Sequence, residues 1–127
     1  SEKISSKKEA IWMDENGFIR ISPNDGFEFD EKDVERQFMI YSQLLLKSNK
    51  KTLLLVDATN DFEMTKEARE LSAKKAKDYF MAAAIVSNSF TTRLLINFLN
   101  SFYNFGIPIK MFAQESDAIK WLQEKKV

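Results

Sequence analysis

Residues 52–86 read TLLLVDATNDFEMTKEARELSAKKAKDYFMAAAIV, and the fold class follows from how this stretch divides. Thr52–Asp57 is a short continuous apolar run, too short for a helix and suited to a strand covered on both faces. Phe80–Val86 (FMAAAIV) has the same character, and its alanines let helices approach the sheet closely. Between the two runs, Thr65 is placed to cap a helix, its hydroxyl accepting from a backbone N–H of the first turn. Ala68, Ser72 and Ala76 then recur every four residues and form a small-residue face. Strand, helix and strand in this order make a parallel crossover unit, and such crossovers are right-handed in nearly all cases.

Working outward, Ala10–Met13 and Phe18–Ile21 are short β-favouring runs joined by Asp14-Glu15-Asn16-Gly17, whose Asn-Gly pair is a strong hairpin signal. Pro23-Asn24-Asp25-Gly26 ends the second strand. Asp30 caps a helix predicted to run to about Ser48, with Glu31 and Asp33 in its positive first turn. Val34, Phe38, Tyr41 and Leu45 give it a buried stripe. Beyond Val86, Ser87-Asn88-Ser89 opens a third helix ending at Gly106, a left-handed C-cap position. A strand over Ile109–Ala113 and a last helix from about Glu115 to Lys125 complete the chain. The order is ββαβαβαβα: one α/β domain over residues 1–127, with a single-layer mixed sheet, an N-terminal hairpin and strands in roughly sequential order.

Composition narrows function by exclusion. Hydrophobic residues make up 44% of the 127 and charged residues 30%, a globular balance. Lysines plus arginines equal aspartates plus glutamates at 19 each, so no net charge draws the chain to nucleic acid. The absence of Cys and His removes disulfides, thiolate sites, the cysteine nucleophile and the residue best suited to acid–base work near neutral pH. No catalytic residue, cofactor or metal is therefore assigned, and the chain is not expected to be an enzyme. The opening SEKISSKKEA lacks the apolar run of a secretory leader, so a cytoplasmic location is expected. The most apolar stretch, residues 90–105, is broken by Arg93 and several polar residues and is too short to span a membrane.

Polar chemistry concentrates in one loop, Asp57-Ala58-Thr59-Asn60-Asp61-Phe62-Glu63-Met64, at the carboxyl end of a strand where α/β ligands gather. Its three acids either hold Mg²⁺ or serve turns and solvent, with Asp57 and Asn60 as turn residues. The second is favoured, because no phosphate-binding glycine loop accompanies them. A receiver-like phospho-acceptor domain is excluded, since the paired acids and the lysine it needs are missing. Lys74, Lys75 and Lys77 form a basic cluster read as a solvated helix face.

The third helix carries more apolar surface than one sheet contact requires. Leu94, Phe98, Phe102 and Phe105 form one lobe, and Ile96, Leu99 and Tyr103 a second, with Leu95 between them. Together they span about 200° of the circumference, against a stripe of roughly 100° for one contact. Either its own neighbours bury this helix deeply, or one lobe meets a second copy, a partner protein or an apolar ligand. The face of Arg93, Leu95, Leu99 and Tyr103 is the candidate for that contact.

These elements resemble the STAS superfamily, the anti-sigma-factor-antagonist or SpoIIAA-like fold, and most closely short stand-alone bacterial STAS/SEC14-like proteins of unknown function. The resemblance rests on LLLVDATNDFEMTKEA, on MAAAIVS followed by FTTRLLINFL, and on the ending IPIKMFAQESDAIKWL. It implies a non-enzymatic module for protein contacts or small-ligand sensing. Antagonist members carry a phosphorylatable Ser or Thr directly after an Asp that caps the second helix. Here the cap position holds Thr65 and the acceptor position Lys66, which cannot be phosphorylated in this way; a slip of one residue would make Thr65 the acceptor. Asn60 stands where many members have Gly. The candidate partner loop is thus Asp57, Thr59, Asn60, Thr65 and Lys66. The expected function is a regulatory module acting through protein contacts and self-associating as a homodimer; the alternative is a carrier or sensor of a small apolar or lipid ligand.

Overall fold

The Asn-Gly hairpin closes as its sequence predicts. In the computed structural model, which describes residues 2–90 and 104–126, Gly17 takes φ +79°, a conformation glycine adopts without strain. The Asp14 carboxylate accepts from the backbone N–H groups of Asn16 at 2.9 Å and Phe18 at 3.0 Å. The turn joins β2 (Glu9–Met13) to β3 (Ile19–Pro23), paired antiparallel with Ile11 opposite Ile21. A two-residue strand β1 (Ile4–Ser5) extends the outer edge.

The crossover unit forms as read. β5 (Thr52–Asp57) lies parallel to β3 and to β7 (Phe80–Val86), with Leu54 opposite Ala83 and Val56 opposite Ile85. β8 (Ile109–Phe112) adds parallel to β7. The main sheet is six-stranded in the order β1-β2-β3-β5-β7-β8, the sequential order expected. Helices α1 (Glu31–Leu45) and α2 (Lys66–Tyr79) pack on one face, around Ile11, Ile19, Ile21, Val34, Phe38, Tyr41, Ala68 and Phe80. Helix α3 (Glu115–Lys125) covers the other through Ala118 and Leu122, which meet Phe18, Leu53, Leu55, Ala82, Ala84 and Val86.

Both predicted caps are built. Asp30 and Asp33 form a reciprocal capping box at the start of α1, each side chain accepting from the other's backbone N–H at 2.9 Å. Thr65 Oγ1 accepts from Ala68 N at 3.1 Å at the start of α2. Thr65→Ala is therefore expected to lose about 0.5–2 kcal/mol of stability in urea unfolding.

Other expectations need correction. α1 stops at Leu45, three residues short of Ser48, because Asn49 turns to φ +51° and donates its N–H to the Leu45 carbonyl at 2.9 Å. Two three-residue strands lie outside the expected elements, β4 (Phe27–Phe29) and β6 (Phe62–Met64), the second within the loop after Asp57; they pair in parallel as a separate small sheet. Such short segments carry no periodicity, and their pairing depends on tertiary contact, as between the Phe29 and Phe62 rings at 5.7 Å. The small face of α2 buries Ala68, Ala73 and Ala76, while Ser72 is half-buried. β5 is sealed on the α3 side only: Leu53 and Leu55 are buried, whereas Leu54 and Val56 are half-buried.

The body of the expected third helix lies outside the described residues, and with it Arg93, Leu95, Leu99 and Tyr103. Gly106, read as its C-cap, does take positive φ, +71°, and a Cβ there would come within 3.2 Å of the Lys77 side chain.

Candidate functional site

Half-burial of Leu54 and Val56 marks the candidate site. On the α1–α2 side of the sheet the described residues line a cavity of about 590 Å³. Its floor is Leu54, Val56, Ala83 and Ile85 from the sheet. Phe38, Tyr41 and Ala76 come from the helices, and Phe29, Phe62 and Met64 from the small sheet. Phe105 and Ile107 also line it. Three exposed residues, Asn60, Asp61 and Glu63, line it where it meets solvent, and Gln37 and Arg69 supply further polar groups.

Most of the predicted partner loop is tied into the fold by its own hydrogen bonds. Asp57 Oδ1 accepts from Thr59 N at 3.0 Å and Thr59 Oγ1 at 2.6 Å, a turn closed by its own side chain. Asn60 Nδ2 donates to the Pro23 carbonyl at 3.3 Å, and Asp61 N donates to Asp25 Oδ1 at 3.1 Å. Among the described residues no three acids are grouped to hold a metal ion. Thr65 is engaged as the α2 cap, and Lys66 is exposed, 3.9 Å from Glu70. Of the five loop candidates, only Asn60 reaches the cavity. In the basic cluster, Lys74 and Lys77 are exposed, and Lys75 places its ammonium 5.8 Å from the Phe38 ring centroid.

The best-built polar cluster was not anticipated from sequence. Glu9, 1% exposed, accepts from Arg36 Nη1 at 2.9 Å and Nη2 at 2.7 Å, from Gln37 Nε2 at 2.7 Å, and from Ser6 Oγ. Asp33 bridges outward, 3.3 Å from Arg36 and 2.7 Å from Lys8. Burial pushes the Glu9 carboxyl up, but hydrogen bonds from Arg36, Ser6 and Gln37 outweigh it and hold the group below the ordinary glutamate range. Asp33 likewise overcomes its partial burial through Lys8, the Asp30 backbone and Arg36, and falls to about 2. Burial raises the Tyr41 phenol and keeps it protonated. Gln37 belongs both to this cluster and to the cavity wall, so the network holds one polar group of the wall in place.

Two signals for the cluster were present in the sequence. Glu9 shares the period-two face of Ile11, and Gln37 lies on the helical stripe of Val34 and Tyr41. Both are polar residues at positions patterned for burial.

The architecture is that of a SpoIIAA-like domain, the fold of the superfamily the sequence resembles. A crystal structure of an uncharacterized protein of the DUF3478 family with a SpoIIAA-like fold, from Shewanella loihica PV-4, is similar to it at a TM-score of 0.63 and 20% identity, covering 94% of this chain and 98% of that one. The likeness is one of fold. The chain itself belongs to the family described as a domain of unknown function, DUF7793, whose family model matches residues 11–126. No curated protein matches the chain. No helix among the described residues is long and apolar enough to cross a membrane.

Proposed function

We propose that this protein is a non-enzymatic binding module whose ligand is a small apolar molecule held between the sheet and the α1–α2 pair. The cavity carries this reading. Its volume of about 590 Å³ falls within the ~300–1,000 Å³ of small-molecule sites, and an apolar lining with a few polar groups is their usual chemistry. Protein contact through the 57–66 loop has less support, because the side chains of Asp57, Asn60 and Thr65 already bond within the fold.

The test uses hexadecanol as a neutral apolar probe. A ligand that binds only the folded state raises the melting temperature with its concentration. Hexadecanol is expected to give a saturable rise, and native mass spectrometry a bound adduct. Ala83→Phe, which puts a ring into the cavity, should abolish both while circular dichroism stays native. No rise with wild-type protein would overturn the reading.

Self-association through Leu95, Leu99 and Tyr103 is proposed separately, on the width of the apolar arc in the sequence. Leu99→Glu is expected to convert a dimer to a folded monomer in light scattering, since a charge is costly there only when an interface desolvates it. A monomeric wild type at high concentration counts against it.

A further inference from the structure

Arg69 is the only cationic residue among the described residues lining the cavity. It lies in the first turn of α2, and its Nη1 donates to the Met64 carbonyl at 2.6 Å, which anchors the guanidinium beside the end of β6. Its Nε is buried and has no hydrogen-bond partner among the described residues. The other described arginines are ion-paired: Arg36 with Glu9 and Asp33, and Arg20 with Glu115 and with Asp14, which faces its Nε at 3.3 Å. Arg69 has no such pair among the described residues, although Asp61 and Glu63 line the same cavity. A buried N–H without a partner is destabilising and rare in native proteins.

We propose that the ligand is a long-chain fatty acid, its carboxylate bound by Arg69 and its chain lying along Leu54, Val56 and Ile85. This rests on the cavity being a ligand site. Guanidinium and carboxylate match in planar, charge-assisted geometry, and the bonds are about twice as strong as neutral ones. One cation on the wall matches a singly charged head better than a phosphate. Asp61 and Glu63 are exposed, so solvent and salt screen their repulsion of that head.

Palmitate and hexadecanol, alike in chain and different in head, separate the two ideas by calorimetric titration. Wild type is expected to bind palmitate more tightly than hexadecanol. Arg69→Gln should weaken palmitate by roughly ten- to a hundredfold, the worth of a charged hydrogen bond, and leave hexadecanol unchanged. Arg69→Lys, which keeps the charge but not the fork, should fall between. Equal affinities in wild type, or equal loss of both ligands in Arg69→Gln, overturns the assignment of the head to Arg69. Binding of hexadecanol alone keeps the cavity as a site and removes the carboxylate. Binding of neither removes both.

Discussion

Replacing Glu9 by alanine is expected to lower stability by about 3 kcal/mol, the low end of the ~3–5 kcal/mol for breaking a buried ion pair. The change leaves the Arg36 guanidinium and the Gln37 amide without the carboxylate that both address. The low end applies because the Arg36 side chain is 36% exposed and can turn toward water. Glu9→Leu combined with Arg36→Met should recover most of the loss, since well-packed apolar residues replace such pairs at little cost. Urea unfolding of the variants measures both effects; a loss under ~0.5 kcal/mol for Glu9→Ala, the size of an ordinary surface substitution, would mean the network contributes no stability.

The same cluster sets an acid dependence. Glu9 and Asp33 both titrate lower in the folded state than the ~4 of an unfolded chain. Their contribution is therefore complete above pH ~4 and is lost as pH falls through the folded values. For Asp33 that window runs from about 4 down to about 2. Urea midpoints should drop across it in wild type and drop less in Asp33→Asn.

Phe80→Ala is the other large effect, at about 3–5 kcal/mol. Phe80 opens β7, is 1% exposed, and has ring centroids of Tyr41, Tyr79 and Phe38 at 5.2, 6.3 and 6.4 Å. The loss belongs in the upper half of that range, because Phe80 already lines the cavity. Space left by the ring joins an existing void rather than being filled by collapse of a close-packed core. Equilibrium unfolding measures it, and a loss below ~1 kcal/mol would show that neighbouring rings close the gap.

What was readable from sequence tracks the length of each signal. Asn16-Gly17 marked the hairpin, and the caps at Asp30 and Thr65 marked helix starts to the residue. The apolar runs at Thr52 and Phe80 defined the parallel core and, with it, the SpoIIAA-like order of strands. The site was much less legible. The loop after Asp57 is rich in polar residues, yet Asp57 closes its own turn onto Thr59, and Asn60 and the Asp61 backbone bond back to Pro23 and Asp25. The cavity is assembled from residues up to 88 positions apart, Ile21 to Ile109. No local pattern records it; a run such as Leu54-Leu55-Val56 reads the same whether both faces meet helices or one meets a cavity. In the sequence Arg69 stands among ordinary helix-surface charges; its bond to the Met64 carbonyl, its buried Nε and its place on the cavity wall distinguish it only in three dimensions.

The small β4–β6 sheet ties together two stretches that lie far apart in the chain. Each of its strands runs directly into a helix cap, Phe29 into Asp30 and Met64 into Thr65, and Thr65 N donates to the Phe29 carbonyl at 2.9 Å. The first turns of α1 and α2 thus stand on one foundation and are expected to open as one cooperative unit. In native-state hydrogen exchange, amides of β4, β6 and both first turns should share one opening free energy, below that of β5 and β7. Phe62→Ala, placed in the strand that precedes α2, should then speed exchange at the start of α1 as well, about thirty residues upstream. Because Phe29, Phe62 and Met64 also line the cavity, a bound ligand should slow exchange in that whole unit together.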